Sequence, residues 1–181
     1  MKTSYKINVI SFILLILIFS CTQRRETLFS RIDSDKTHVT FANIITESDS
    51  FNILTNEYIF NGGGVAVSDF NNDGLPDLFF TGNMVTNRLY LNEGNLNFKD
   101  ITEDSNLNFA DFWSTGIAIA DLNEDGLMDI YVCTAMHKEN RTNRLYINQG
   151  MSDKGIPTFL EQAAAYGVND SGNSMAATFI D

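Results

Sequence analysis

The sequence predicts an all-β fold: a β-propeller with four-stranded blades, of which this chain carries about two and the start of a third. Three observations predict it. A nine-residue acidic loop occurs twice, as Asp69-Phe-Asn71-Asn-Asp73-Gly74-Leu75-Pro-Asp77 and as Asp121-Leu-Asn123-Glu-Asp125-Gly126-Leu127-Met-Asp129. A second motif follows each loop, Asn87-Arg-Leu-Tyr-Leu-Asn92 and then Asn143-Arg-Leu-Tyr-Ile-Asn148. The flanking segments, Gly64-Val-Ala-Val-Ser-Asp69 and Asp77-Leu-Phe-Phe-Thr81, are short, β-branched or aromatic, and bounded by Gly and Asn, which is the pattern of strands.

The repeat fixes the elements in order. The loops start 52 residues apart (69 to 121) and the Asn-Arg motifs 56 apart (87 to 143), so the linker varies while the motifs hold. Strand-like pieces of the first unit fall at roughly 64–69, 77–81, 87–92 and 98–101. Phe98-Lys-Asp-Ile-Thr-Glu is answered by Phe159-Leu-Glu-Gln-Ala-Ala in the same slot of the second unit. Four strands per unit of about 50 residues make a propeller blade. Ala177-Thr-Phe-Ile-Asp181 then repeats the pattern of Val65-Ala-Val-Ser-Asp69 and Ile117-Ala-Ile-Ala-Asp121, placing Asp181 as the first residue of a third loop. Because propellers close with about four to eight blades, the chain is expected to be the N-terminal piece of a longer protein.

The loop spacing suits Ca²⁺, a hard cation that takes six to eight oxygen ligands. Positions one, three, five and nine supply side-chain oxygens: Asp69, Asn71, Asp73 and Asp77 in the first copy, Asp121, Asn123, Asp125 and Asp129 in the second. The main-chain carbonyls of Leu75 and Leu127 are the expected position-seven ligands. Gly74 and Gly126 take the sharp turn at position six, where a residue without Cβ reaches positive φ at little cost. Three carboxylates within about 5 Å repel by roughly 3 kcal/mol per pair at an effective dielectric of about 20, and a divalent cation relieves that strain. Metal-free Asp/Asn/Gly turns use the same residue types, but two copies agreeing in every defining position favour metal. An EF-hand loop is excluded, since it needs an acidic ligand at position twelve and flanking helices; Phe80 and Val132 stand there, among strands.

Other chemistry finds little support. His38 and His137 are far apart and belong to no ligand motif, and no Gly-x-Ser-x-Gly elbow, phosphate loop or Cys-x-x-Cys is present. Gly62-Gly63-Gly64 precedes a strand without a following Lys-Ser/Thr, which suits a tight turn into the blade rather than a phosphate cradle. Cys133 lies in the apolar run Asp129-Ile-Tyr-Val-Cys-Thr134 and reads as a small buried residue. Trp113, Tyr90, Tyr131 and Tyr146 are candidates for stacking on sugar rings, although the equivalent placing of Tyr90 and Tyr146 points to packing between blades.

The stretch Asn61-Gly-Gly-Gly-Val-Ala-Val-Ser-Asp-Phe-Asn-Asn-Asp-Gly-Leu-Pro-Asp77, with Asn87-Arg-Leu-Tyr-Leu-Asn92 and Phe112-Trp-Ser-Thr-Gly116, closely resembles FG-GAP/VCBS-repeat proteins. Within these it is most similar to bacterial surface lipoproteins related to cartilage acidic protein, of the ASPIC/UnbV type. The resemblance covers about residues 37–181. It implies a propeller akin to the integrin α head, with Ca²⁺ in the hairpin joining the first two strands of each blade. The literal Phe-Gly and Gly-Ala-Pro signature is absent, and so is an ASPIC/UnbV region.

The first 21 residues read as a targeting segment: Lys2 and Lys6, an apolar run from Ile7 to Phe19, then Ile18-Phe-Ser-Cys21. A small residue before Cys resembles the bacterial lipobox, so Cys21 is the expected lipidation site and membrane anchor. Residues 22–36 read as a flexible tether and 37–181 as the repeats. Loss of residues 1–20 removes Lys2 and Lys6 and no acids, taking the net charge from −11 to −13. Such a surface argues against nucleic acid, which requires clustered Lys and Arg. The expectation is therefore a non-enzymatic calcium-binding propeller on an exported lipoprotein, in the outer membrane or at the surface of a Gram-negative cell, meeting a protein or glycan. The alternative is an accessory module of a surface enzyme acting on a polymer, with its catalytic domain beyond residue 181.

Overall fold

A computed structural model describes residues 27–107, 109, 112–136 and 141–180. The targeting segment with Cys21, the start of the tether, His137 and Asp181 lie outside the described residues. The described residues from Asp33 onward form one compact unit, divided from what precedes them after Ile32. Among the described residues, no helix is long and apolar enough to cross a membrane.

Two four-stranded antiparallel sheets make up the larger unit, as the repeat predicts. The first holds β1 (Val65–Ser68), β2 (Asp77–Phe80), β3 (Arg88–Asn92) and β4 (Phe98–Asp100) in that spatial order. The second holds β5 (Ser114–Ala120), β6 (Asp129–Thr134), β7 (Arg144–Met151) and β8 (Pro157–Glu161). Each sheet is a meander, the arrangement of a propeller blade. The strand bounds predicted for the first unit hold to within a residue. Among the described residues there are also two single turns of helix, α1 (Ser34–Thr37) and α2 (Ala163–Tyr166).

Strand alternation decides how the blades meet, because successive side chains point to opposite faces. From the first blade, Phe79, Leu89, Leu91 and Ile101 point toward the second, where Ile130, Val132, Tyr146, Ile156 and Phe159 join them in one core. Leu107 and Phe109 of the linker fill the space between. Phe109 sits against both Phe79, at 5.6 Å between ring centroids, and Tyr146, at 5.1 Å. Tyr146 thus packs between blades as its repeat position suggests. Tyr90 instead lies edge-on to Phe80 of its own sheet, and Phe80 stacks on Phe41.

Phe41 belongs to a segment that the repeat does not reveal. Residues 39–46 follow α1 without regular secondary structure and with alternating exposure: Val39, Phe41, Asn43 and Ile45 are turned inward. Asn43 and Asn83 exchange hydrogen bonds, Asn43 Nδ2 donating to Asn83 Oδ1 at 2.7 Å and Asn83 N–H donating to Asn43 Oδ1 at 3.0 Å. Trp113 is buried with Ile59 and Ala135 and lies edge-on to Phe51. At 5 % exposure Trp113 is a core side chain, which disfavours the sugar-stacking option.

Close backbone approach explains Gly63 and Gly64 at the start of the first blade, and a φ of 82° explains Gly62. A Cβ on Gly63 would sit 2.0 Å from the Thr81 carbonyl oxygen, and one on Gly64 would sit 3.0 Å from that of Thr115. Gly116 occupies the same place in the second blade, where its Cβ would meet the Met175 carbonyl oxygen at 2.5 Å. Residues 175–180 therefore lie beside β5 much as β5 lies beside β1, and Phe179 packs edge-on against Tyr131. One asymmetry follows from a single side chain. Asn143 Nδ2 donates to Tyr131 Oη and Ser174 Oγ, whereas Asn87 Nδ2 has no partner among the described residues, because Phe79 stands where Tyr131 does.

Candidate metal centre

Both acidic loops close the first hairpin of a blade. Ser68 pairs with Asp77 and Ala120 pairs with Asp129, so each loop spans the β1–β2 or β5–β6 connection and its ninth residue opens the second strand. The structure thus brings Asp69, Asn71, Asp73, Leu75 and Asp77 together in one hairpin, and Asp121, Asn123, Asp125, Leu127 and Asp129 in the other.

Main-chain N–H groups build the same geometry twice. Asp69 accepts from Asp73 N–H at 3.1 Å and Gly74 N–H at 2.7 Å; Asp121 accepts from Asp125 N–H at 3.1 Å and Gly126 N–H at 2.8 Å. Asp73 and Asp125 each accept from the N–H two residues on, that of Leu75 or Leu127, at 2.8 Å. Asn71 Nδ2 donates to Asp73 Oδ2, and Asn123 Nδ2 to Asp125 Oδ2, both at 2.9 Å. Gly74 and Gly126 have φ of 84° and 85° with open space around a would-be Cβ, so glycine is required there for its backbone angle alone. Asn72 and Glu124 also take the left-handed region, at φ 56° and 59°. Asn tolerates this better than Glu.

The ninth-position aspartates are the buried members of each set, with Asp77 0 % and Asp129 1 % exposed. Asp77 Oδ2 accepts from Phe70 N–H at 2.9 Å and Oδ1 from Asn92 N–H at 2.8 Å. Asp129 repeats this with Leu122 N–H at 2.9 Å and Asn148 N–H at 2.8 Å. The Asn that ends the second motif is therefore part of the loop's support, a role that sequence reasoning missed. Its signal was present: Asn92 and Asn148 recur at the same distance after the Asn-Arg pair.

Burial pushes the Asp77 carboxyl up to about 6, against the two N–H donors, with the nearby Asp73 and Asp69 charges adding to the rise. Asp129 is raised for the same reasons, burial first and Asp125 and Asp121 after it. For a carboxyl raised in the fold, protonation favours the folded state, and that contribution fades as pH climbs through about 6.

Among the described residues, no three His, Cys, Asp or Glu side chains form a ready-made metal cluster. The donor set nonetheless fits a hard cation: it is oxygen throughout, and the loop N–H groups leave further lone pairs on the carboxylates. Asn71, Asn123 and main-chain oxygens would complete such a shell. Burial also raises the Cys133 thiol, consistent with an inert core side chain. His38 is exposed and its Nδ1 meets Asn97 Oδ1.

A comparison with curated proteins returns no match. Residues 69–132, from the first residue of the first acidic loop through the second loop and into β6, match the FG-GAP-like repeat, and the chain carries that repeat there.

Proposed function

We propose that this chain is a non-enzymatic, calcium-binding β-propeller module of an exported lipoprotein. In this reading it is anchored through Cys21 at the outer membrane or cell surface, resembles the ASPIC/UnbV-type lipoproteins, and presents its loops to a protein or glycan. The observation that carries the metal assignment is the pair of matching hairpins. Each carries three aspartates and one asparagine at the same spacing and buries the ninth-position carboxylate. Asp69, Asn71, Asp73, Leu75 and Asp77 would hold one ion, and Asp121, Asn123, Asp125, Leu127 and Asp129 the other. A bound Ca²⁺ supplies positive charge and crosslinks the hairpin; the role is structural, and no bond making is assigned to it.

Two experiments test this reading. An ion held by the fold and not by the unfolded chain adds about 2.7 kcal/mol per site at a free concentration of about a hundred times Kd. Two such sites should raise the melting temperature of the chain by about 10 °C or more in calcium over chelator. Coincident melting curves would overturn the metal assignment. For the anchor, Cys21→Ala is expected to move the protein from the membrane fraction to the soluble fraction, and persistent membrane association would remove the lipobox.

A further inference from the structure

The two hairpins are joined by a continuous hydrogen-bonded path with Asn148 at its centre. Asn148 N–H donates to Asp129 Oδ1 of the second loop at 2.8 Å. Its Nδ2 donates across the blade boundary to the carbonyl oxygen of Phe70 at 2.9 Å, and to that of Met128 at 3.3 Å. Phe70 is position two of the first loop, and its N–H in turn donates to Asp77 Oδ2 at 2.9 Å. The ninth-position aspartates of neighbouring blades thus hold opposite ends of one chain of donors and acceptors. A second, exposed link runs beside it, Asn72 Nδ2 to the Gly126 carbonyl oxygen at 3.1 Å. Among the described residues, the Nδ2 of Asn92, the counterpart of Asn148, donates to the Pro76 carbonyl oxygen of its own hairpin and makes no link between blades.

From this we infer that calcium capture by the two loops is cooperative, with Asn148 and Asn72 as the positioning residues that couple them. The inference rests on the calcium reading above. Asn148 is 1 % exposed, and its Oδ1 is used by Gly150 N–H, so the side chain has one well-satisfied arrangement. An ion at the second loop fixes Asp129, hence the Asn148 backbone, hence the Phe70 carbonyl and the Phe70 N–H that orients Asp77. The first ion to bind bears the cost of setting this shared path in its ion-bound geometry, and the second meets a path already set, which is positive cooperativity without a change of fold. Coupling is reciprocal, so the loss of one site must weaken the other by the same factor.

The test is calcium titration of the full chain by calorimetry. Wild type is expected to bind two ions with a Hill coefficient clearly above 1, the second about tenfold tighter than the first. Asp73→Ala, which disables the first loop, is expected to weaken calcium at the second by about tenfold. Asn72→Gly keeps the left-handed backbone while removing one link, and should lower the Hill coefficient with both ions still bound. Asn148→Ala keeps the N–H to Asp129 and should bring the coefficient to 1; if it does not fold, Asn72→Gly decides alone. Two ions bound independently by wild type would overturn the coupling and leave the calcium reading intact. No binding at all would overturn both.

Discussion

Asp77→Ala should lower the unfolding free energy of the calcium-free chain by about 3 kcal/mol, even with chelator present. The carboxylate is fully buried and accepts the N–H groups of Phe70 and Asn92, and alanine leaves both donors unsatisfied. An orphaned buried donor costs about 1–3 kcal/mol, so two outweigh the relief of desolvation and repulsion that raises this group. Asp73→Ala is the control. Asp73 is an exposed position-five residue, and its loss should cost under about 1 kcal/mol without calcium. Urea denaturation in chelator reads both; equal midpoints for wild type and Asp77→Ala would show that the ninth aspartate does not support the hairpin.

The second large effect is expected at Phe70, which ties a loop to the neighbouring blade. It follows Asp69 directly, yet it is buried in the shared core and lies edge-on to Phe159 of β8 at 6.1 Å. Phe70→Ala should cost about 4 kcal/mol, the transfer of a large side chain plus the cavity it leaves. Its counterpart Leu122 is half-buried against the cluster around Tyr131 and Ala177, so Leu122→Ala should cost about 1–2 kcal/mol. Thermal or urea unfolding of both variants gives the comparison. A Phe70→Ala cost below about 1 kcal/mol would mean that the blades do not stack through this ring.

Repetition made most of the fold legible. Val65–Ser68, Asp77–Phe80, Arg88–Asn92 and Phe98–Asp100 are each short and apolar, and alone could be buried helix or strand; the second copy of the motifs settled their order and hairpin pairing. The acidic loops were legible for the same reason, since ligand spacing and the glycine turn are local properties. Three features escaped. Residues 37–63 have no second copy, so nothing in the sequence announced that Phe41 would stack on Phe80 or that Ile59 and Trp113 would share a cluster. The support of Asp77 and Asp129 by Asn92 and Asn148 is a contact between motifs 15 and 19 residues apart. The link from Asn148 to Phe70 spans 78 residues and exists only once two blades stack.

Diffraction from crystals of the chain grown in calcium, with anomalous data collected at a long wavelength, tests the central claim most directly. Two anomalous peaks are expected, one within the Asp69–Asp77 hairpin and one within Asp121–Asp129, each about 2.3–2.6 Å from the named oxygens. Ordered hairpins at saturating calcium with no peak in either would contradict it.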